Sequence, residues 1–378
     1  MTPLVLDIGS SSIRAGFAGT DQPRIVAPSC VGAQDPDRMI FPLNFGQKLG
    51  LTEVLPLSDP ESMACAVDGA LYGAHGLQAN RHIHPVLFSR SPNEKKLIEL
   101  LFEHSEVPSV FGVHVAALAA YATGRTSAMV ADFGASTTSF SYVEDGGVKF
   151  HVPYAFGGDT LDGSIMRRLE IENPGMRIPP FYSSNHTATE VRTSFHTKSC
   201  LRTVQEVKNS ICRVSPTPLP PAPERMRAAK KAAVGLGINF KFPDGTEVDT
   251  ASVCEYVPEL FFNPKIGDLK FIPNARNFPG VSAALQENFN NAPLKKLVLV
   301  GGCTLMPGFC ARFVSEASSA LGLPLQTLAC LAPSQLHRPY ATWTGGSVLG
   351  AMSAIDSLFV SSKEYYELGA ERCVTRLG

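Results

Sequence analysis

The sequence has almost no net charge, since 33 lysines and arginines stand against 34 aspartates and glutamates in 378 residues. A protein that binds nucleic acid usually presents a basic face, so no nucleic-acid partner is expected. Long apolar runs are also missing. The longest, from Val113 to Tyr121, is far shorter than the roughly 20 residues that cross a bilayer. No membrane partner is therefore expected.

The chain also lacks a cysteine framework. It has nine cysteines, an odd number, and no Cys-x-x-Cys pair. Disulfides and a zinc site are thus disfavoured, and a reducing compartment fits better. The amino terminus enters a strand directly, which predicts that there is no signal peptide. With 44% hydrophobic residues, the chain can build two packed domains.

Two segments of the sequence repeat one pattern. Leu4 to Ser11 is a short apolar strand that reaches Asp7 and Gly9 and then small hydroxyl residues. Met129 to Thr137 repeats it around Asp132 and Gly134. Apolar and β-branched residues follow each glycine, so each segment is predicted to be a strand–turn–strand hairpin.

A third glycine turn comes late in the chain, where a buried strand opens into Gly301 and Gly302 ahead of a helix. Apolar helices such as Val113 to Ala122 lie between the strands, a pattern typical of an α/β protein. Glycine turns let several backbone N–H groups approach one anion. Asp7 and Asp132 could hold a hydrated magnesium ion, and Arg14 could neutralise phosphate charge. The three turns together predict a cleft that clasps a nucleotide.

The strings that carry these turns resemble the actin family over most of the chain. The segment from Asp7 to Arg24 resembles the family's first phosphate loop, and Tyr121 to Thr126 resembles the approach to the second. Gly301 to Gly308 is similar to the adenosine-side loop, and Trp343 to Leu349 to the carboxyl-terminal region. The resemblance implies the actin fold, shared with Hsp70 and sugar kinases. It consists of two similar α/β domains around a nucleotide cleft.

The resemblance further implies the site. The implied ligand is ATP or ADP with magnesium, and the implied role of Asp7 and Asp132 is to hold the metal through water. The expected nucleotide-binding residues are Asp7, Gly9, Ser10, Ser11, Arg14, Asp132, Gly134, Ser136, Gly158, Lys208, Gly301 and Gly302. Tyr121, Leu349 and Met352 match an apolar groove where partner helices dock. That groove could equally be covered by the chain's own tail.

The sequence departs from the family at the positions that place the attacking water. The family's glutamine and histidine fall on Val115 and Ser139, and its second aspartate on Ala135. Valine cannot orient water and serine is a poor base, so no catalytic residue and no appreciable ATP hydrolysis are expected. Ser11 also replaces a family glycine. The competing interpretation is that the nucleotide has been lost and the turns are structural.

The resemblance implies an outer domain of residues 1–115 and 339–378, and an inner domain of 116–338 with an inserted lobe at about 159–254. The family's outer lobe is shortened here to about residues 33–55, with Gly46 to Lys48 as a possible remnant of its inserting loop. A subunit without that loop suits a filament end better than a filament interior, so no homopolymer is expected. Sequence drift is the equally weighted alternative.

The expected function is therefore structural. Short strings such as Phe102 to Val110 resemble the actin-related protein at the pointed end of the dynactin minifilament. They imply a cytoplasmic, cytoskeleton-associated subunit whose partners are actin or actin-related subunits and assembly-specific proteins. The alternative is an actin-related subunit of a nuclear chromatin-remodelling complex. A small-molecule kinase is less favoured, because the actin-type carboxyl terminus has no role there.

Overall fold

The computed structural model describes residues 1–35, 38–46, 51–90, 94–182, 191–220, 239–266, 277–289, 296–324, 329–331 and 333–377. The strands are β1 (Leu4–Ile8), β2 (Ser12–Phe17), β3 (Ile25–Pro28), β4 (Cys30–Asp35), β5 (Arg38–Ile40), β6 (Glu53–Pro56), β7 (Val86–Arg90), β8 (Ser109–His114), β9 (Ala128–Phe133), β10 (Thr138–Glu144), β11 (Gly147–Tyr154), β12 (Asn239–Lys241), β13 (Glu247–Asp249), β14 (Lys296–Val300), β15 (Ala329–Leu331) and β16 (Val360–Ser361).

The α-helices are α1 (Pro60–Leu71), α2 (Glu94–Glu99), α3 (Val115–Tyr121), α4 (Gly158–Glu172), α5 (Thr193–Ile211), α6 (Ala251–Cys254), α7 (Tyr256–Glu259), α8 (Val281–Phe289), α9 (Phe309–Leu321), α10 (Ala341–Gly350), α11 (Ser362–Leu368) and α12 (Ala370–Leu377). A π-helical turn, Leu100–His104, continues α2, and short 3-10 turns cover Pro264–Ile266, Gly302–Leu305, Arg338–Tyr340 and Ser353–Leu358. In the described part of the chain, no helix is long and apolar enough to span a membrane.

The two larger sheets have the same arrangement of strands around a central strand. The first has the order β16-β8-β7-β1-β2-β3, and the second has the order β11-β10-β9-β14-β15. In each, a central strand (β1 or β9) starts an antiparallel meander on one side and pairs with a parallel strand on the other. The predicted hairpins after Asp7 and Asp132 are confirmed, as is the α/β class. The exact domain boundaries stay a prediction.

Helices α3 and α10 lie between the two sheets and pack on each other; α10 packs on β1, β2 and β7 of the first sheet, and α3 packs on strands of both sheets. One apolar cluster around them joins Val5 and Leu87 of the first sheet to Val130 and Val298 of the second. The helices approach so closely that a Cβ on Gly345 would lie 1.8 Å from the carbonyl oxygen of Leu118. Only glycine fits there, so this residue sets the distance between α3 and α10.

The helix ends follow local capping chemistry. The Asp59 side chain accepts a hydrogen bond from the Ser62 N–H at 3.0 Å, ahead of Pro60 in the first turn of α1. Ser361 and Glu364 form a reciprocal capping box at the start of α11. Each side chain satisfies a backbone N–H group that the helix leaves free. These two starts are therefore set by neighbouring residues alone.

A buried ion pair fixes the chain after α5. Arg312 on α9 is 3% exposed and lies 3.0 Å from Glu259, which is fully buried. The same guanidinium donates to the carbonyl oxygen of Ser215 at 3.0 Å, where the proline-rich segment 215–223 begins. The structure describes that segment as far as residue 220. Its start is tied to the inner core rather than free.

The outer lobe, residues 30–56, is a small three-stranded sheet of order β5-β4-β6. It leads directly into α1, which begins at Pro60. Residues 36–37 and 47–50 lie outside the described part of the chain, and so do Gln47 and Lys48 of the predicted loop remnant. The described lobe thus has a sheet and short connections only.

The predicted helix at Val113 to Ala122 begins two residues later than expected. Val113 and His114 complete β8, because His114 pairs with Arg90 of β7 in the parallel register. His114 then caps α3: its Nδ1 accepts a hydrogen bond from the Ala116 N–H at 3.1 Å. Pairing with a distant strand outweighs local helix propensity here.

The capping histidine is also a titratable group. Its ring lies edge-on to that of His151, with 4.7 Å between centroids. Burial, and then the charges of His151 and Arg90, lower the pKa of His114 to about 4. A protonated Nδ1 could not accept the capping hydrogen bond. Because the folded-state pKa is below the unfolded value near 6.5, His114 stabilises the fold above that pH.

We expect this contribution to be lost as the pH falls from about 6.5 through about 4. The variant His114→Asn keeps a good cap without the titration. It should therefore lose less thermal stability than the wild type between pH 7.5 and pH 5. After allowance for partial exposure, the difference should be on the order of 1–2 kcal/mol. Scanning calorimetry at both pH values measures it.

The exposed His82, in the turn between α1 and β7, provides the control His82→Asn, because it replaces a histidine away from any helix start of the described residues. Equal losses of melting temperature in wild type and His114→Asn would contradict the assignment.

Candidate functional site

The first turn is built around a buried ion pair. Asp7 on β1 is 3% exposed and faces Arg14 on β2, its cross-strand partner. Nη1 of Arg14 lies 2.5 Å from Oδ2 of Asp7, and the Ser89 hydroxyl donates to Oδ1 at 2.7 Å. Both carboxylate oxygens thus have protein donors, and Asp7 is held rigidly at the end of its strand.

The first and second turns make the same hydrogen bond. The Gly9 N–H donates to the carbonyl oxygen of Ser12 at 3.0 Å, and the Gly134 N–H donates to that of Thr137 at 2.9 Å. Ser10 and Ser11 at the first turn are exposed, and within the described residues their hydroxyls have no hydrogen-bond partner. The pattern that is repeated in the sequence is therefore also repeated in the backbone hydrogen bonds.

Asp132 occupies the matching position on β9, between Val300 of β14 and Ser139 of β10. Burial raises the pKa of Asp132 to about 6; the Arg14 charge opposes this and the Asp7 charge adds to it. Within the described residues, its carboxylate has no hydrogen-bond or ion-pair partner. The aspartates of the two hairpins are thus close enough to interact, and one of them is open to a cation.

The third turn, at Gly301, lies against Asp132 of the second. Gly301 has a φ of +97°, and a Cβ there would lie 2.3 Å from the carbonyl oxygen of Phe133 and 2.5 Å from Oδ1 of Asp132. A Cβ on the next residue, Gly302, would meet no atom within 4 Å. Gly301 is therefore needed for the close approach, while Gly302 borders open space that a ligand could fill.

Lys208 joins the group from α5. Its Nζ lies 2.8 Å from Oδ1 of Asp162 and donates to the carbonyl oxygen of Gly158 at 3.1 Å. Burial raises the pKa of Asp162, and the Lys208 charge opposes that rise. The predicted residues Gly158 and Lys208 are thus neighbours, although Lys208 is already paired with a buried carboxylate.

The hydroxyl of Ser136 is also occupied: it donates to Oδ2 of Asp159 at 2.6 Å. The Asp159 N–H in turn donates to the carbonyl oxygen of Ala135 at 2.8 Å. The Gly158 N–H also donates to the carbonyl oxygen of Gly134 at 3.1 Å, so three hydrogen bonds fasten the second turn to the start of α4. Ser136 shapes the turn as well as bordering it.

Sequence reasoning missed three residues of this site: Ser89, Asp162 and Cys303. Cys303 donates through its thiol to the carbonyl oxygen of Gly134 at 3.2 Å. Ser89 could have been found, because β7 is parallel to β1 and parallel strands end at one edge of a sheet. Asp162 and Cys303 gave no comparable signal, since their partners are distant in sequence.

The resemblance assigns the placing of water to the positions of Val115 and Ser139, and this assignment stays a prediction. Val115 begins α3, and Ser139 is buried opposite Asp132 on β10. The neighbouring His114 uses its Nδ1 to cap α3. Neither side chain at the two family positions can act as a base at neutral pH.

These groups have the chemistry to accept a nucleotide polyphosphate with a hydrated divalent cation. Gly301 lies against Asp132, whose carboxylate has no hydrogen-bond or ion-pair partner among the described residues, and the charges of Arg14 and Asp7 act on that carboxylate. Among the described residues, no cluster of three or more His, Cys, Asp or Glu could hold a metal ion. A cation here would accordingly need phosphate and water oxygens as well. The site residues stay a prediction.

The three residues of the predicted partner groove lie in different surroundings, and the groove itself stays a prediction. Tyr121 and Leu349 belong to the apolar cluster between the sheets, where Leu349 is 8% exposed. Met352, just beyond α10, is 50% exposed and lies outside that cluster. The carboxyl-terminal helices α11 and α12 pack on the apolar cluster that includes Leu4 and Val67.

The family is shown by comparison with known proteins. A family profile described as Actin matches residues 1–377. An "Actin-like protein" of Neurospora crassa is 29% identical over 394 aligned residues, covering 97% of this chain and 95% of that protein. An "Actin-related protein 4" of Yarrowia lipolytica is 28% identical over 425 residues, covering 99% and 95%. The chain belongs to the actin family.

Proposed function

We propose that this protein is a structural actin-related subunit that holds a nucleotide without turning it over. It would stand at or near the end of a short actin-like filament, in an assembly resembling dynactin that serves microtubule-motor transport. Its partners would be actin or actin-related subunits and assembly-specific proteins, in the cytoplasm and with the cytoskeleton. The observation that carries this proposal is an intact set of three turns combined with a reduced outer lobe.

The nucleotide would be ATP or ADP with magnesium. Asp132 would hold the hydrated cation, together with Asp7 once Arg14 turns from its carboxylate towards phosphate. The turns at Gly9 and Gly134 would present backbone groups to the phosphates. Gly302 would border the adenosine. The magnesium ion, when bound, would offset phosphate charge, and the chain's own groups would orient the ligand and keep water from it.

We expect the purified protein to contain stoichiometric ADP or ATP, measured by acid extraction and chromatography. Added magnesium ATP at 100 times its Kd should stabilise the stripped protein by about 2.7 kcal/mol. Asp132→Asn should remove most of this thermal shift, because an amide is a weaker ligand for magnesium. The exposed Asp21 supplies the control Asp21→Asn. A stable wild-type protein that never responds to nucleotide would defeat the cofactor assignment.

Hydrolysis should be negligible over hours, because Val115 and Ser139 cannot position or activate water. The double variant Val115→Gln with Ser139→His restores both groups of the family and should raise phosphate release above the wild-type background. Single-turnover assays with labelled ATP measure it, with Val115→Gln alone as the control. Wild-type turnover comparable to that of an actin filament would show that these two positions are wrongly aligned.

The outer lobe supports the filament-end role. In actins this lobe carries a long loop that inserts into the next subunit, whereas here the described lobe is three short strands. A head-to-tail filament needs a working contact at both ends of every subunit. A subunit with one working end can join a filament once and then stop its growth.

We expect no sedimentable polymer of the pure protein under magnesium and salt conditions that assemble actins. Substoichiometric amounts should slow growth at one end of a compatible actin-related filament, as seen by single-filament microscopy. Long homopolymers in electron micrographs would rule the proposal out. Growth slowed equally at both ends would point to subunit sequestration rather than end binding.

The second candidate is a monomeric subunit of a nuclear chromatin-remodelling complex. The similarity to an actin-related protein 4 at 28% identity, nearly equal to that of the actin-like protein, keeps this role open. Both roles predict a chain that does not polymerise. Affinity purification separates them: motor-complex components support the filament end, and helicase-type remodeller subunits support the nuclear role.

A further inference from the structure

An apolar cluster joins the outer lobe to the inner half of the chain. Cys30, Leu43 and Val54 of the lobe pack around Phe195 of α5. Phe195 is fully buried, and the other three are 3 to 9% exposed. We call these four residues the latch. Each side of it would be exposed if the other moved away, because the lobe alone is too small to bury them.

Aromatic rings and one polar contact frame the latch. The Phe45 ring of the lobe lies 5.5 Å from that of Phe195, and the Tyr182 ring stacks on the other side at 5.9 Å. The Val54 N–H donates to the hydroxyl of Ser194 at 3.0 Å. A backbone group of β6 is thereby satisfied by α5. The contact has both an apolar core and a directional hydrogen bond.

The latch lies at the far side of the cleft from α3 and α10. Ser29, directly before Cys30, donates to the carbonyl oxygen of Gly9 at 2.5 Å, so β4 leaves from the first turn. Phe195 and Lys208 are both on α5, and 13 residues (208 − 195) at 1.5 Å rise place them about 20 Å apart. The latch therefore spans the cleft beyond the candidate nucleotide site.

We propose that the latch keeps the cleft closed whether or not a nucleotide is bound. The two halves are then joined on both sides of the site by the chain's own apolar contacts, with no need for a ligand between them. The shape that the protein offers to a neighbouring subunit is consequently independent of nucleotide state. The consequence for a bound nucleotide rests on the proposed function, but closure itself does not.

The latch also removes apolar surface of the lobe from other uses. Leu43 and Val54 are buried against α5 of the same chain, so neither is available to a neighbouring subunit. A lobe that is fastened in this way cannot swing outwards to insert into another molecule without breaking the cluster. Closure and a poor longitudinal contact are two results of one arrangement.

Cys30 is a native probe of opening, because burial in the latch shields its thiol and raises its pKa to about 11. The full-length protein is labelled with N-ethylmaleimide, with magnesium ADP and after apyrase and charcoal treatment, and Cys30 is followed by peptide mass spectrometry. Its labelling rate should change by less than about twofold when nucleotide is removed. Phe195→Ala should raise the rate at least tenfold in both states.

Cys373 is the internal control, because it is fully buried in the outer core and reports general unfolding. Phe289→Ala removes a comparable aromatic ring from the inner core and should leave Cys30 protected. If Phe195→Ala exposes Cys373 too, the half-buried rim variant Phe45→Ala replaces it and should raise Cys30 labelling about threefold.

A tenfold rise at Cys30 on nucleotide removal from the wild type would overturn the proposal. The proposal would also be overturned if Cys30 stayed protected in both Phe195→Ala and Phe45→Ala while Cys373 stayed protected. The outcome is separate from that for nucleotide binding, because a protein purified without nucleotide still tests closure through Cys30.

Discussion

The close contact of α3 with α10 is the constraint on which the rest of the structure depends. Gly345 lets the two helices meet at backbone distance, and Trp343 anchors α10 by donating from Nε1 to the carbonyl oxygen of Val5 at 3.1 Å. Since α10 packs on the first sheet and α3 packs on the second, the separation of the two helices sets the distance between the sheets. That distance brings Asp7, Asp132 and Gly301 to one place. Without this distance between the sheets, the three turns would not lie together at one site.

Two charged pairs within the chain neutralise most of the charged side chains at the site. Asp7 is neutralised by Arg14, and Lys208 by Asp162, so neither half carries a bare buried charge. Asp132 is the exception, and its raised pKa reflects burial without a partner. Such a group is expected where a cation completes the set. In the proposed function, Val115 and Ser139 stand where water would be placed, and the site would hold a ligand rather than react with it.

The outer lobe connects the site to assembly. β4 starts beside the first turn, because Ser29, directly before it, donates to the carbonyl oxygen of Gly9. β6 ends shortly before α1 begins. A movement of the lobe would therefore displace Gly9. The latch opposes this movement by tying Val54 and Leu43 to Phe195. In the proposed function, the length of this lobe and the surface that it buries would affect both ligand access and the contact with a neighbouring subunit.

The sequence by itself determined the three turns, the two hairpins and the capped helix starts, because each depends on hydrogen bonds between residues a few positions apart. The facing of Asp7 and Arg14 also follows from the hairpin register. Only the tertiary structure decided that α3 starts at Val115, that Lys208 pairs with Asp162 and that Phe195 meets Val54. These contacts join residues far apart in the chain. Burial depends on which surfaces meet, and the local sequence pattern does not identify a partner that lies in a different element of the chain.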